Sequence, residues 1–159
     1  MRVADGAALA ALLGSAGILT AALLFEHLGG LAPCPLCQWQ RAGHLLALLG
    51  VISLFGPSPF RRFPGLIGSA GSAAVGTLQL GMERGWWSGP SGCGGAPDLS
   101  GLSAAEALER MLLATPVPCD AVTWSLLGLS MAGWNALLSA LIAGLWGRSA
   151  WNLIRQKIL

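Results

Sequence analysis

Residues 6–25 read GAALAALLGSAGILTAALLF, 20 residues without a charge between Asp5 and Glu26. A bilayer core of about 30 Å takes roughly 20 apolar helical residues, so this stretch is long enough to cross a membrane. Three further charge-free runs repeat it. Ala42 to Phe60 has 19 residues, with Pro57 and Pro59 expected to end its helix near Gly56. Phe63 to Met82 has 20 and opens with Pro64, a residue suited to a first helical turn. Ala121 to Gly147 has 27, enough to span with tilt. The expected fold is therefore all-α: a single four-helix transmembrane domain over residues 1–159. Its spans fall at about 6–25, 42–56, 64–82 and 121–147, with outer loops at 26–41 and 83–120. The first run reads as a retained helix. It exceeds the apolar stretch of about 7–15 residues of a signal sequence, and no small-x-small cleavage site follows.

Composition supports this reading. Apolar residues make up 54% of the chain and charged residues only 10%, against roughly 25% charged in soluble domains, which argues against a soluble globule. The net charge of +2 is carried by scattered basic residues, so no basic patch is available for nucleic acid. Six basic residues (Arg2, Arg61, Arg62, Arg148, Arg155 and Lys157) lie at the termini and the second connection, against three (Arg41, Arg84 and Arg110) in the other loops. That bias places the termini in the cytoplasm. Trp39, Trp86, Trp87 and Trp124 then mark outer helix ends, Trp146 and Trp151 the inner end of the fourth, and Trp134 falls mid-span. Small residues at four-residue spacing, Gly68, Ser72 and Gly76, and again Ala132, Ala136, Ala140 and Gly144, suggest faces of close helix approach.

The second outer loop carries one helical signal. Ser103 and Glu106 have capping-box spacing, and Ala104, Ala107, Leu108, Met111 and Leu112 recur at intervals of three and four. A short amphipathic helix on the membrane surface is expected there, stopped by Pro116 and Pro118.

All four cysteines, Cys34, Cys37, Cys93 and Cys119, lie outside the expected spans and on the non-cytoplasmic side, where disulfides are permitted. Four cysteines allow three connectivities. The Cys34-x-x-Cys37 pair is followed by Gln38 rather than a haem-attaching histidine, and the distant pair does not repeat it as a zinc knuckle would, so no metal is expected. Structural stapling remains open for the distant pair. The first pair has a more reactive setting. Cys37 falls where the second helix begins, and a helix N-terminus stabilises a thiolate. Arg41 and His44 continue the same helical stripe, a pattern able to hold an anionic sulfur and a polar ligand head together.

At these residues the chain resembles the disulfide bond formation protein B family, membrane oxidases that recharge a soluble thiol oxidase and pass electrons to quinone. The resemblance runs through Phe25, His27 and the Pro33-Cys34-Pro35-Leu36-Cys37 segment with Arg41. It includes Cys93 and continues through Cys119 with Trp124, Gly128, Leu129, Met131 and Trp134. It departs at Arg84, where some members carry a histidine. The resemblance implies that Cys93 of a Cys93/Cys119 disulfide is attacked by a soluble thioredoxin-fold thiol oxidase of the DsbA type. Cys119 then exchanges with Cys34, and Cys37 passes the electron pair to a quinone, ubiquinone or menaquinone, held beside Arg41 and His44. It also implies a multi-pass protein of the bacterial inner membrane with periplasmic cysteine loops and membrane lipid as its surroundings. Two other readings are a quinone-linked protein similar to the vitamin K epoxide reductase group, whose active C-x-x-C lies late in the bundle, and a non-enzymatic scaffold with structural disulfides.

Overall fold

The computed structural model describes residues 6–56, 58–90, 93, 99–113 and 117–158; Pro57 and Pro116, two of the expected helix stops, lie outside them. The chain is mostly helical: α1 Gly6–His27, α2 Pro35–Leu48 continued by a 3-10 stretch Leu49–Phe55, a 3-10 turn Pro59–Arg62, α3 Phe63–Glu83, α4 Ala104–Leu113, β1 Ser125–Leu126, β2 Leu129–Ser130 and α5 Met131–Ile158. α3 packs along both α2 and α5, α1 packs along α5 and α2, and α1 and α3 barely meet. The four long helices thus form a four-cornered bundle with α1 and α3 on a diagonal.

Small residues set the spacing of these helices. A Cβ placed on Gly68 would lie 2.4 Å from the Gly43 carbonyl oxygen and 2.6 Å from the Ala47 nitrogen, so α2 and α3 approach as closely as backbone allows. Gly76 meets Ala132 and Ala136 of α5 in the same way, at 3.0–3.2 Å. The Gly68, Ser72, Gly76 stripe is therefore the ridge of α3 that seats both neighbours. Only half of the second stripe does so, because Ala132 and Ala136 are buried while Ala140 and Gly144 face outward. Trp146, expected at an interface, is instead fully buried. Its ring fills a slot formed by Gly50 and Gly65, where an added Cβ would come within 2.6 and 2.2 Å of it.

Two expected boundaries are corrected. The fourth helix begins at Met131, not Ala121, because absence of charge does not imply helix. Residues 125–130 form a hairpin, Ser125 pairing with Ser130 and Leu126 with Leu129. Its two-residue turn, Leu127 at φ 53° and Gly128 at φ 77°, has the left-handed backbone that matches strand twist. Trp134 accordingly lies in the first turn of α5 and donates from Nε1 to the Leu126 carbonyl at 3.1 Å. The first connection also ends earlier than expected, since α2 starts at Pro35 and carries Cys37, Gln40 and Arg41 on its first two turns.

α4 forms where its capping box foretells. The Ser103 N–H and hydroxyl donate to Glu106 at 2.9 and 2.6 Å, and the Glu106 N–H donates back to the Ser103 oxygen at 3.4 Å. Its Leu108, Met111 and Leu112 side chains are exposed. Beside its apolar clusters the bundle buries small polar residues and turns many large aliphatic ones outward. Ser15, Ser69, Ser72, Ser139 and Ser149 are completely buried, while Leu13, Leu24, Leu45, Leu49, Ile67 and Leu141 are exposed.

Candidate functional site

The site is built on the start of α2. Cys34 is the N-cap, with extended backbone at φ −74° and ψ 167°, and its Sγ accepts the Cys37 N–H at 3.1 Å; Pro35 follows in the first turn. Cys34 and Cys37 are joined in a disulfide. The sulfur that takes the helix N-terminus is thus Cys34, not Cys37 as the expected start of the helix implied. A thiolate at Cys34 gains the N-terminal amide and the helix dipole. Cys37 lies within the first turn, half-buried, while Cys34 is 2% exposed.

Cys93 and Cys119 form the second disulfide, and the Cys119 N–H donates to the Cys93 carbonyl at 3.0 Å. They are 3% and 0% exposed, and they pack in one apolar cluster with Cys34, Leu36 and Met82, with Cys37 at its edge. Two disulfides from separate loops therefore sit in a single dry cluster at one end of the bundle. Sequence alone left their pairing open; the fold joins each to its partner.

Beside this cluster a cavity of about 310 Å³ opens between α1, α2, the end of α3, α5 and the segment before the hairpin. Its walls are apolar, with Ile18 and Leu19 of α1 and Leu138 of α5, and Phe25 and Trp124, 5.3 Å apart, stand together in its lining. Cys37, Gln40, Arg41, His44, Gln79, Glu83 and Asn135 supply its polar groups. The expected stripe of Cys37, Arg41 and His44 thus lines one cavity. Arg41, however, is ion-paired with Glu26 of α1 and donates to the Ala22 carbonyl at 3.0 Å. His44 is almost completely buried, with Nε2 between the Asn135 Oδ1 at 3.0 Å and the Ser139 hydroxyl at 3.1 Å. Asn135 Nδ2 continues the network to the Ser72 hydroxyl at 3.0 Å. Since Oδ1 only accepts, Nε2 carries the proton, which leaves Nδ1 as an acceptor. That atom is buried and has no hydrogen-bond partner among the described residues.

Gln79 and Gln40, which sequence reasoning did not single out, join the two halves of the site. The Gln40 Nε2 donates to the Gln79 Oε1 at 2.7 Å, and the Gln79 Nε2 lies 3.7 Å from the Cys37 Sγ. Their signal was available: Ser72, Gly76, Gln79 and Glu83 recur at intervals of four, three and four, which puts them on one face of α3. Arg84, the departure noted above, is not in the cavity lining; it donates to the Gly128 carbonyl at 2.9 Å and ties α3 to the hairpin turn. Among the described residues no group of three His, Cys, Asp or Glu side chains is placed to hold a metal ion.

The family model described as disulfide bond formation protein DsbB matches residues 4–148. The chain belongs to the disulfide bond formation protein B family. Curated members agree along most of their length. A disulfide bond formation protein B from Marinobacter nauticus is 36% identical over 137 residues, covering 80% of each chain. One from Verminephrobacter eiseniae is 32% identical over 82% of this chain and 76% of its own. One from Nitrosomonas eutropha is 32% identical over 91% of this chain and 94% of its own. No solved structure matches.

Proposed function

We propose that this chain is a multi-pass membrane thiol:quinone oxidoreductase that re-oxidises a soluble thioredoxin-fold dithiol oxidase. The observation that carries the reading is the shared setting of the two disulfides: they pack in one buried cluster, and one opens onto an apolar cavity with a polar lining. That cavity fits a quinone. Its walls suit a ring and isoprenoid tail, and among its polar groups Arg41 and Gln40 can donate to quinone carbonyl oxygens, while the acceptor Nδ1 of His44 suits the hydroxyl of the reduced, quinol head. When bound, the quinone supplies a two-electron, two-proton acceptor. Arg41, Gln40 and His44 orient its polar head, and the Arg41 charge favours the anionic sulfur of Cys37 beside it.

The relay balances at each exchange. A partner thiolate attacks the Cys93 sulfur, and the Cys93–Cys119 bond breaks to free the Cys119 thiolate. Cys119 attacks Cys34, whose bond to Cys37 breaks and frees Cys37. The partner's second thiolate displaces Cys93, which in turn displaces Cys34 from Cys119 and restores the Cys93–Cys119 bond. The partner leaves oxidised, and the electron pair rests on Cys34 and Cys37 next to the cavity. Because Cys93 and Cys119 are buried in the oxidised state, the partner must uncover them to begin.

The membrane setting is supported by α1, the helix long and apolar enough to cross on its own, and by the packing of the bundle. Buried serines and glycines with outward leucines are what a lipid solvent favours, since lipid gives no penalty for apolar exposure. On this reading α1, α2 with its 3-10 extension, α3 and α5 span the bilayer of the bacterial inner membrane. The termini are cytoplasmic, the cysteine loops are periplasmic, and α4 rests on the membrane surface with Leu108, Met111 and Leu112 in lipid. A reporter fused after the last residue should read cytoplasmic.

Quinone reduction by the purified protein, with a reduced thioredoxin-fold dithiol as donor, tests the function. The expected result is turnover that stops in Cys37→Ser. Absence of quinone reduction in the unmodified protein, or equal turnover in Cys37→Ser, would overturn it.

A further inference from the structure

The relay above leaves one charged side chain of the cavity without a task. Glu83 ends α3, half-buried, in the lining that holds Cys37. Its Oε1 is 3.5 Å from the Gln79 Nε2, the same amide nitrogen that lies 3.7 Å from the Cys37 Sγ. Gln40 donates to the amide oxygen at 2.7 Å, which turns the NH2 group toward the Glu83 carboxylate, and the Cys37 Sγ lies along the amide edge, 3.7 Å from Nε2 and 3.8 Å from Oε1. Gln40 and Gln79 are both buried, which holds the clamp in place.

We propose that Glu83 and Cys37 titrate as one unit across the Gln79 amide, with Glu83 holding the proton that Cys37 gives up when it becomes a thiolate. The role in turnover rests on the quinone reading given above. Closing the Cys34–Cys37 bond breaks two S–H bonds, delivers two electrons to the acceptor, and releases two protons that the acceptor takes up. Glu83 carries one of them in between and ends as it began, a carboxylate. Glu83 is thus a positioning and proton-holding residue, and the sulfur remains the nucleophile.

The neighbouring charges support this assignment. On α2 the cavity holds Arg41 and His44, and Arg41 is committed to Glu26 of α1. Arg84, next in the chain, is bonded to the Gly128 carbonyl and also attracts the Glu83 carboxylate, which takes a further hydrogen bond from Ser130 of the hairpin. α5 contributes the neutral Asn135. Glu83 is therefore the acidic group joined to Cys37 through a shared hydrogen-bonding partner. When two sites interact this closely, their protons come off in steps that belong to the pair.

The test needs no quinone, so its outcome is separate from that of the turnover assay. In Cys34→Ser protein with the Cys93–Cys119 disulfide intact, Cys37 is the single free thiol, and its alkylation by iodoacetamide is followed against pH. The expected profile has two steps. In the Glu83→Gln background it collapses to one step, and the apparent thiol pKa falls by about one unit because a like charge is gone. Below that pKa the thiolate fraction rises about tenfold, and Glu83→Asp retains most of the two-step profile. Profiles that superimpose with and without the Glu83→Gln change would overturn the proposal. Should Glu83→Gln fail to fold, the infrared difference spectrum of the Cys34→Ser protein decides. A protonated carboxyl band that falls in two steps with rising pH, the second in the range where the thiolate forms, supports the proposal, and a band lost in one step before the thiolate appears refutes it.

Discussion

Removing Arg41 and removing its partner should have opposite effects on quinone reduction, although both break the same ion pair. The Arg41 and Glu26 side chains are 15% and 29% exposed. The pair thus lies between the fully exposed case, worth about 0–1 kcal/mol, and the buried case, where stranding one partner costs about 3–5 kcal/mol. A folding cost of about 1–3 kcal/mol is expected for either single change. The catalytic effects should differ. Arg41→Ala removes positive charge from the cavity and leaves the Glu26 carboxylate near it. A charge-assisted interaction of this kind is worth about 1.5–3 kcal/mol, or roughly 10- to 150-fold in quinone reduction. Glu26→Gln leaves Arg41 charged and free to turn to the head of the ligand, so quinone reduction should be unchanged or faster. Arg41→Lys should be intermediate, since it keeps charge but loses the planar fork. Steady-state quinone reduction, thermal unfolding in detergent and single-turnover exchange between Cys93/Cys119 and the soluble donor should be measured on each variant. Exchange should survive all three changes. Equal loss of quinone reduction in Arg41→Ala and Glu26→Gln would show that Arg41 serves only to tie α2 to α1, and the charge argument would fail.

Gly68→Ala should lower the thermal midpoint by the equivalent of about 1–3 kcal/mol, because its Cβ meets α2 backbone. Gly71→Ala, with nothing within 4 Å of the added atom, should be neutral or stabilising by about 0.5–1 kcal/mol. Asn135→Leu removes one hydrogen-bond partner from the His44 Nε2 and from the Ser72 hydroxyl, leaving each with Ser139 alone among the described residues, should cost about 1–3 kcal/mol, and should weaken quinone binding without slowing Cys93/Cys119 exchange. The Ser103 hydroxyl and N–H hold the Glu106 carboxyl below its usual range. The cap they form is present above the ordinary carboxylate range and is lost as pH falls through the lowered value. Hydrogen exchange of residues 104–113 should show α4 loosening under acid, and Ser103→Ala or Glu106→Gln should loosen it at neutral pH.

The helical character of the chain and the cysteine-bearing end of α2 were legible because both are written as patterns within single segments. The charge-free runs marked four helices. The spacing of Cys37, Arg41 and His44 placed them on one stripe, and they do line one cavity. The boundary of the fourth run was misread because a hairpin of uncharged residues carries the same lack of charge as a helix; the turn at Leu127 and Gly128 was the warning. Trp146 was misplaced because a tryptophan near a helix end reads alike whether lipid or two glycines receive it, and Gly50 and Gly65 lie far away in sequence. Glu26 against Arg41, and Gln79 and Glu83 against Cys37, were not legible for the same reason. Each is a pairing between helices, decided by how α1 and α3 rotate about α2, and no single segment records that rotation. The three-and-four spacing that brings Gln79 onto the buried face of α3 was visible, but its meaning depended on what that face meets.

The central claim is that electrons arriving at Cys93/Cys119 reside on Cys34/Cys37 before they reach the quinone. Quinone-free protein should be mixed anaerobically with one equivalent of reduced thioredoxin-fold dithiol, the free thiols trapped with an alkylating agent, and the labelled cysteines located by mass spectrometry, before and after quinone is added. Label is expected on Cys34 and Cys37 before quinone and should be lost from both on addition, with one quinone reduced per dithiol oxidised. Label that stays on Cys93 and Cys119 while Cys34 and Cys37 remain joined, or quinone reduction that leaves the label on Cys34 and Cys37 unchanged, would contradict it.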